Sequence, residues 1–176
     1  MNLQTEALKK FMIRPLSEND SGQLLELMKT NPEYFSCLQD HAVTREEAVA
    51  DLYELPPHTD ISQKFYIGYF QQESLIAAMD YIEGYPNDST IFIGFFMVDG
   101  NSKRRGYGKL LMENFVQCAG QNRYTSIRLG CIAENSTGFS FWHALGFSEI
   151  NRVITKAEGH KDWNVIVMAK QLNAPR

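Results

Sequence analysis

The chain has 176 residues, 44% apolar and 22% charged, with a formal net charge of −4. Such a length and balance suit one soluble domain with a substantial core, and the acidic balance excludes general nucleic-acid binding, which needs a basic face. No apolar run approaches the ~18–20 residues of a membrane span, no apolar stretch near the start precedes a cleavage site, and the three cysteines, Cys37, Cys118 and Cys131, lack paired spacing, as in a reducing cytoplasm.

Residues 1–10 read as a loose leader to a single domain spanning 1–176. Phe11 to Leu16 predicts a short strand, with Ser17 and Asp20 as capping candidates for a helix carrying Leu24, Leu25, Leu27 and Met28. Asn31-Pro32 ends that helix, and Glu33 to Ala42 is irregular. Thr44-Arg45-Glu46-Glu47 is a capping box that opens a helix to about Leu55, before Pro56-Pro57. From Lys64 the period changes to two, so Phe65–Phe70 and Ser74–Ile82 form a hairpin around Gln71-Gln72-Glu73.

Ile91 to Val98 is a buried strand, followed from Lys109 by a helix with Leu110, Leu111, Phe115 and Cys118 on one face. Ile127 to Ile132 is a strand and Asn135 to Ala144 a helix, which Gly146 ends. Phe147–Lys156 and Trp163–Gln171 close the chain as an antiparallel hairpin across Ala157 to Asp162. The expected architecture is α/β: a mixed, mostly antiparallel sheet flanked by helices, in the order β-α-α-β-β-β-α-β-α-β-β.

Between the central strand and its helix lies Asp99-Gly100-Asn101-Ser102-Lys103-Arg104-Arg105-Gly106-Tyr107-Gly108. The first N–H groups of a helix have no intrahelical partner and carry partial positive charge. Gly106 and Gly108 let an anion approach the backbone, and Lys103 to Arg105 add positive field, so the segment reads as a phosphate cradle. It is not a Walker loop, because Leu110 follows Gly108-Lys109 where Ser or Thr would hold magnesium. It is not a Rossmann fingerprint, because Leu111 stands at the third glycine.

A basic residue, two residues, Gly, one residue and Gly after a strand resembles the pyrophosphate loop of the GNAT acetyltransferase superfamily. Asn135-Ser136-Thr137-Gly138-Phe139-Ser140-Phe141-Trp142-His143-Ala144-Leu145-Gly146-Phe147 is similar to that family's Asn-x-x-Ala-x-x-Phe/Leu-Tyr-x-x-Leu-Gly-Phe segment, in the family's order and at about its separation. Met12-Ile13-Arg14-Pro15-Leu16 also looks like its first strand. The resemblance implies that acetyl passes from acetyl-CoA to a primary amine of a small molecule or peptide, by direct attack in a ternary complex. It implies backbone contacts from Met97 and Val98 to the pantetheine arm and N–H groups of Lys103, Arg104, Arg105, Gly106, Tyr107, Gly108 and Lys109 on the pyrophosphate. It also implies that Asn135 hydrogen-bonds along the arm and that Trp142 contacts the cofactor, with a homodimer expected from family habit.

Several positions depart from the pattern. Lys103 replaces Gln or Arg; Arg104 replaces Gly, which a negative φ would accommodate; Gly138 stands where Ala is common. Trp142 occupies the place of a tyrosine general acid, and an indole N–H cannot supply that proton, so it reads as a packing residue. The acid that several relatives carry on the central strand is absent from Ile91 to Val98, which leaves Asp80 and Glu83 as catalytic candidates, either as a base or as a cation binder. Alternation puts these two on opposite faces. No His, Cys and carboxylate spacing suggests a metal site. The rival readings are the same fold with a longer acyl group, and a non-catalytic acyl-CoA sensor or interaction module.

Overall fold

A computed structural model describes residues 1–155 and 162–172. Its strands are β1 (Met12–Pro15), β2 (Lys64–Gln71), β3 (Ser74–Glu83), β4 (Thr90–Val98), β5 (Ser126–Ile132), β6 (Ser148–Thr155) and β7 (Trp163–Gln171). Its α-helices are α1 (Ser21–Lys29), α2 (Pro32–Leu38), α3 (Arg45–Asp51), α4 (Tyr107–Gly120) and α5 (Ser136–Ala144). The expected mixed sheet is present, in the order β1-β2-β3-β4-β5-β7-β6. Every pairing is antiparallel except β4 with β5. The turn expected over Ala157 to Asp162 falls outside the described residues but for Asp162.

Two cores flank the sheet. One face carries Tyr69, Met79, Tyr81 and Ile93 against Leu111, Phe115 and Trp142 of α4 and α5. The other carries Tyr66, Ala78, Phe95 and Met97 against Leu24, Leu27, Phe35 and Ala48 of α1, α2 and α3. The capping box opens α3 as expected, with Thr44 Oγ1 accepting from Glu47 N–H and Glu47 reaching back to Thr44 N–H.

Three expectations need correction. A third N-terminal helix, α2, occupies the segment read as irregular, because Pro32 sits at its first turn and starts it, where a missing N–H costs nothing. Helix α3 ends at Asp51, before the proline pair. The leader is anchored: Leu3 and Leu8 are buried, and Asn114 of α4 donates to the Leu3 carbonyl at 3.1 Å and pairs with the Thr5 hydroxyl. Leu8→Ala is therefore expected to destabilise the fold by about 2–5 kcal/mol, read as a lower urea midpoint at unchanged slope. A leader free of the core would leave the midpoint where it is.

Candidate active site

β4 and β5 pair only from Thr90–Ile93 to Ser126–Leu129, so β4 beyond Ile93 runs free on that side. Strand register decides which backbone groups face the opening. Asp99 N–H bonds the Ile76 carbonyl, and Met97 and Val98 lie opposite Ala78 and Ala77. Antiparallel pairing alternates, so Met97 turns its N–H and C=O toward Ala78, while Phe96 and Val98 turn theirs to the gap. The Val98 carbonyl there accepts from the buried Asn31 amide at 3.1 Å. Phe96 was missed in the sequence because only register distinguishes it from Met97, whose side chain lies in the core under α1 to α3.

The gap leads to the glycine loop. A single 3-10 turn, Gly100–Ser102, is held by Asp99 Oδ2 accepting from the Ser102 hydroxyl and by Gly100 N–H donating to Thr30 Oγ1. Lys103, Arg104, Arg105 and Gly106 are exposed, and α4 starts at Tyr107. Among the described residues no acceptor meets the N–H groups of Arg104 to Lys109. Gly106 has φ +76°, and a Cβ built there would meet nothing within 4 Å, so the space above it is open. The Tyr107 side chain lies against Phe11 and under Lys10, which leaves its backbone for the loop.

Arg104 does not have the negative φ that would accommodate it; its φ is +62°. A left-handed L-residue costs roughly 1–2 kcal/mol, against the ~0.5–1 kcal/mol entropy cost of glycine. Arg104→Gly is thus expected to raise unfolding stability by about 0.5–1 kcal/mol in urea titrations. A loss of stability would mean that the guanidinium makes a compensating contact.

Asn135 caps α5, its Oδ1 accepting from Gly138 N–H at 2.9 Å, so only its Nδ2 remains to donate. A Cβ on Gly138 would require that amide to shift. Trp142 is 9% exposed and packs on Phe96, Phe141 and Phe147, with centroids 6.0, 5.0 and 5.3 Å away. It is a packing residue at the inner edge of the gap. Cys131 is buried nearby, and burial pushes its thiol up to about 11.

The two acidic candidates separate. Glu83 pairs with Ile91, six residues before Met97, so at ~3.3 Å per residue it lies about 20 Å from that end of β4. There it accepts from the Tyr124 hydroxyl at 2.6 Å. Asp80 instead lies opposite Phe95 at a bulge that leaves Gly94 as the extra β4 residue. It shares a face with Tyr66, Phe95 and Met97. Its Oδ2 meets Lys64 Nζ at 2.9 Å, with side chains 9% and 2% exposed. Burial pushes the Asp80 carboxyl up to about 6, while Lys64 pulls it back.

Around this pair stand groups without a local sequence signal, because they come from separate elements. Asp51 of α3 accepts from the Tyr66 hydroxyl at 2.6 Å, and its carboxyl is raised by burial and lowered by that bond. Tyr34 of α2 lays its ring edge-on to Phe95, and burial raises its phenol. Away from the pair, the Trp163 indole of β7 donates to the Leu38 carbonyl at the end of α2. Among the described residues no group of three or more His, Cys, Asp or Glu is placed to hold a metal, and no helix is long and apolar enough to cross a membrane.

This fold of sheet and helices is shared by solved acetyltransferases. An acetyltransferase from Thermus thermophilus superposes with a TM-score of 0.72 at 20% identity, covering 94% of this chain and 99% of that one. The ribosomal-protein-S18-alanine N-acetyltransferase of Escherichia coli gives 0.65 at 14%, covering 94% and 96%. A Salmonella typhimurium protein solved with its cofactor acetyl-CoA gives 0.63 at 14%, covering 94% and 95%. No curated protein matches the sequence. The model of the acetyltransferase (GNAT) family matches residues 25–147, and the chain belongs to that family.

Proposed function

We propose that the protein transfers acetyl from acetyl-CoA to a primary amine of a small molecule or peptide, by direct attack while both are bound. The observation that carries this reading is the β4–β5 gap running into a row of unpaired N–H groups at the start of α4. The diphosphate rests on the backbone from Arg104 to Lys109, with Lys103, Arg104 and Arg105 supplying counter-charge. Phe96 and Val98 hold the pantetheine amides as a strand would, Asn135 Nδ2 donates along the arm, and Trp142 walls it. Acetyl-CoA, when bound, supplies the acetyl group as a thioester.

Holding two reactants in register supplies about 7–11 kcal/mol of the barrier. Asp80 removes the acceptor's proton from the face opposite Trp142. With no tyrosine at position 142, the departing thiolate is left to water, which is tolerable for a leaving thiol of pKa near ~8.5. The test is mass-spectrometric detection of acetylated product across a panel of amines with acetyl-CoA. Transfer to at least one amine is the expected result. Tight acetyl-CoA binding with no transfer to any amine would instead support the sensor reading, which Trp142 at the acid position favours.

A further inference from the structure

We infer that Lys64 is a positioning residue for amine deprotonation: it clamps Asp80 by Oδ2 so that Oδ1 receives the proton of a singly charged, apolar-bodied primary ammonium. This rests on the transferase reading above.

Lys64 opens β2 and is itself fixed on three sides. It donates to the Glu54 carbonyl at 2.8 Å, meets Asp80 Oδ2 at 2.9 Å and lies 5.5 Å over the Tyr66 ring. The same Oδ2 lies against Gly94, where a Cβ would collide with it. An ammonium and a strand backbone against one oxygen set the direction in which the other oxygen points. That other oxygen, Oδ1, is enclosed and has no hydrogen-bond partner among the described residues, in a residue only 6% exposed. An unpaired buried acceptor costs about 1–3 kcal/mol, a cost that an arriving N–H donor would remove.

Charge defines the donor. The groups set around Asp80 are Lys64 and Tyr66 from β2, Asp51 and the exposed Glu54 from α3 and the turn after it, and Tyr34 from α2. Among the buried groups Asp80 and Asp51 outnumber Lys64 by one charge, so one cation completes the cluster, and a second is left to the exposed, solvent-screened Glu54. Phe95 and Met97, on the same face, make the surroundings of that cation apolar. In the step itself an acceptor N–H bond breaks, an O–H bond forms on Oδ1, the electron pair stays on nitrogen, and the proton later returns to solvent.

The experiment measures kcat/KM against pH for acetyl transfer to 2-phenylethylamine and to the dication cadaverine, together with acetyl-CoA affinity. Lys64→Met removes the charge that favours ionised Asp80, so the acid limb is expected to move up by about 1–3 pH units. Asp51→Asn removes a repelling carboxylate while keeping a partner for Tyr66, so the limb moves down. Acetyl-CoA affinity stays unchanged in both, and 2-phenylethylamine is preferred about tenfold or more over cadaverine. Opposite shifts are a signature that a purely structural ion pair would not give. Should Lys64→Met fail to fold, Asp51→Asn alone decides. Unmoved limbs with turnover retained, or equal use of the dication, overturn the inference. Failure of the unaltered protein to acetylate any amine overturns the transferase reading beneath it.

Discussion

Gly106→Asp is expected to weaken acetyl-CoA binding by about 10²–10³-fold and leave the fold intact. Two unit charges near 4 Å repel by ~4 kcal/mol at an effective dielectric of 20, and screening at an exposed loop trims that to the stated range. The fold survives for two reasons: aspartate tolerates left-handed backbone better than most side chains, and the new Cβ meets nothing within 4 Å. Titration calorimetry with acetyl-CoA, beside thermal unfolding, separates the two effects. An unaltered Kd with normal melting would move the diphosphate away from the start of α4.

The second large effect is expected at Asp80. Asp80→Asn keeps size and one polar contact but loses the proton acceptor, so kcat should fall by about 10²–10⁴-fold, the usual contribution of a general base. Acetyl-CoA affinity should not change, because Asp80 lies on the face opposite Trp142 and α4. The pH dependence has a defined sign. Burial pushes the carboxyl up to about 6, and only its ionised form accepts a proton, so kcat/KM in the unaltered protein is expected to hold above about pH 6 and to fall below it. A variant that retains both turnover and acid limb would show that the proton leaves by another route. Glu83→Gln, three residues along β3 and about 10 Å from Asp80 at ~3.3 Å per residue, should leave kcat/KM within twofold.

What the letters alone revealed follows how local each signal is. The glycine loop, the Thr44 box, the hairpin around Gln72 and the order of strands depend on neighbours within a few residues, and all lie where the spacing put them. Pro32 misled because proline stops one helix and starts another by the same missing N–H. Leu3 and Leu8 gave no periodic signal, since two leucines in an irregular segment say nothing of the groove beside α4 that receives them. The φ of Arg104 is set by how the loop turns into α4, which no propensity encodes. The Lys64, Asp80, Asp51 and Tyr66 cluster joins three elements, and Phe96 differs from Met97 only through the pairing of β4 with β3. Such facts exist only once the sheet is assembled.

One consequence reaches beyond this chain. The carboxylate of residue 80 fills the volume that a side chain at 94 would need. Positions 80 and 94, on adjacent strands, therefore share one volume, and a longer side chain at 94 is expected to go with a shorter or displaced one at 80.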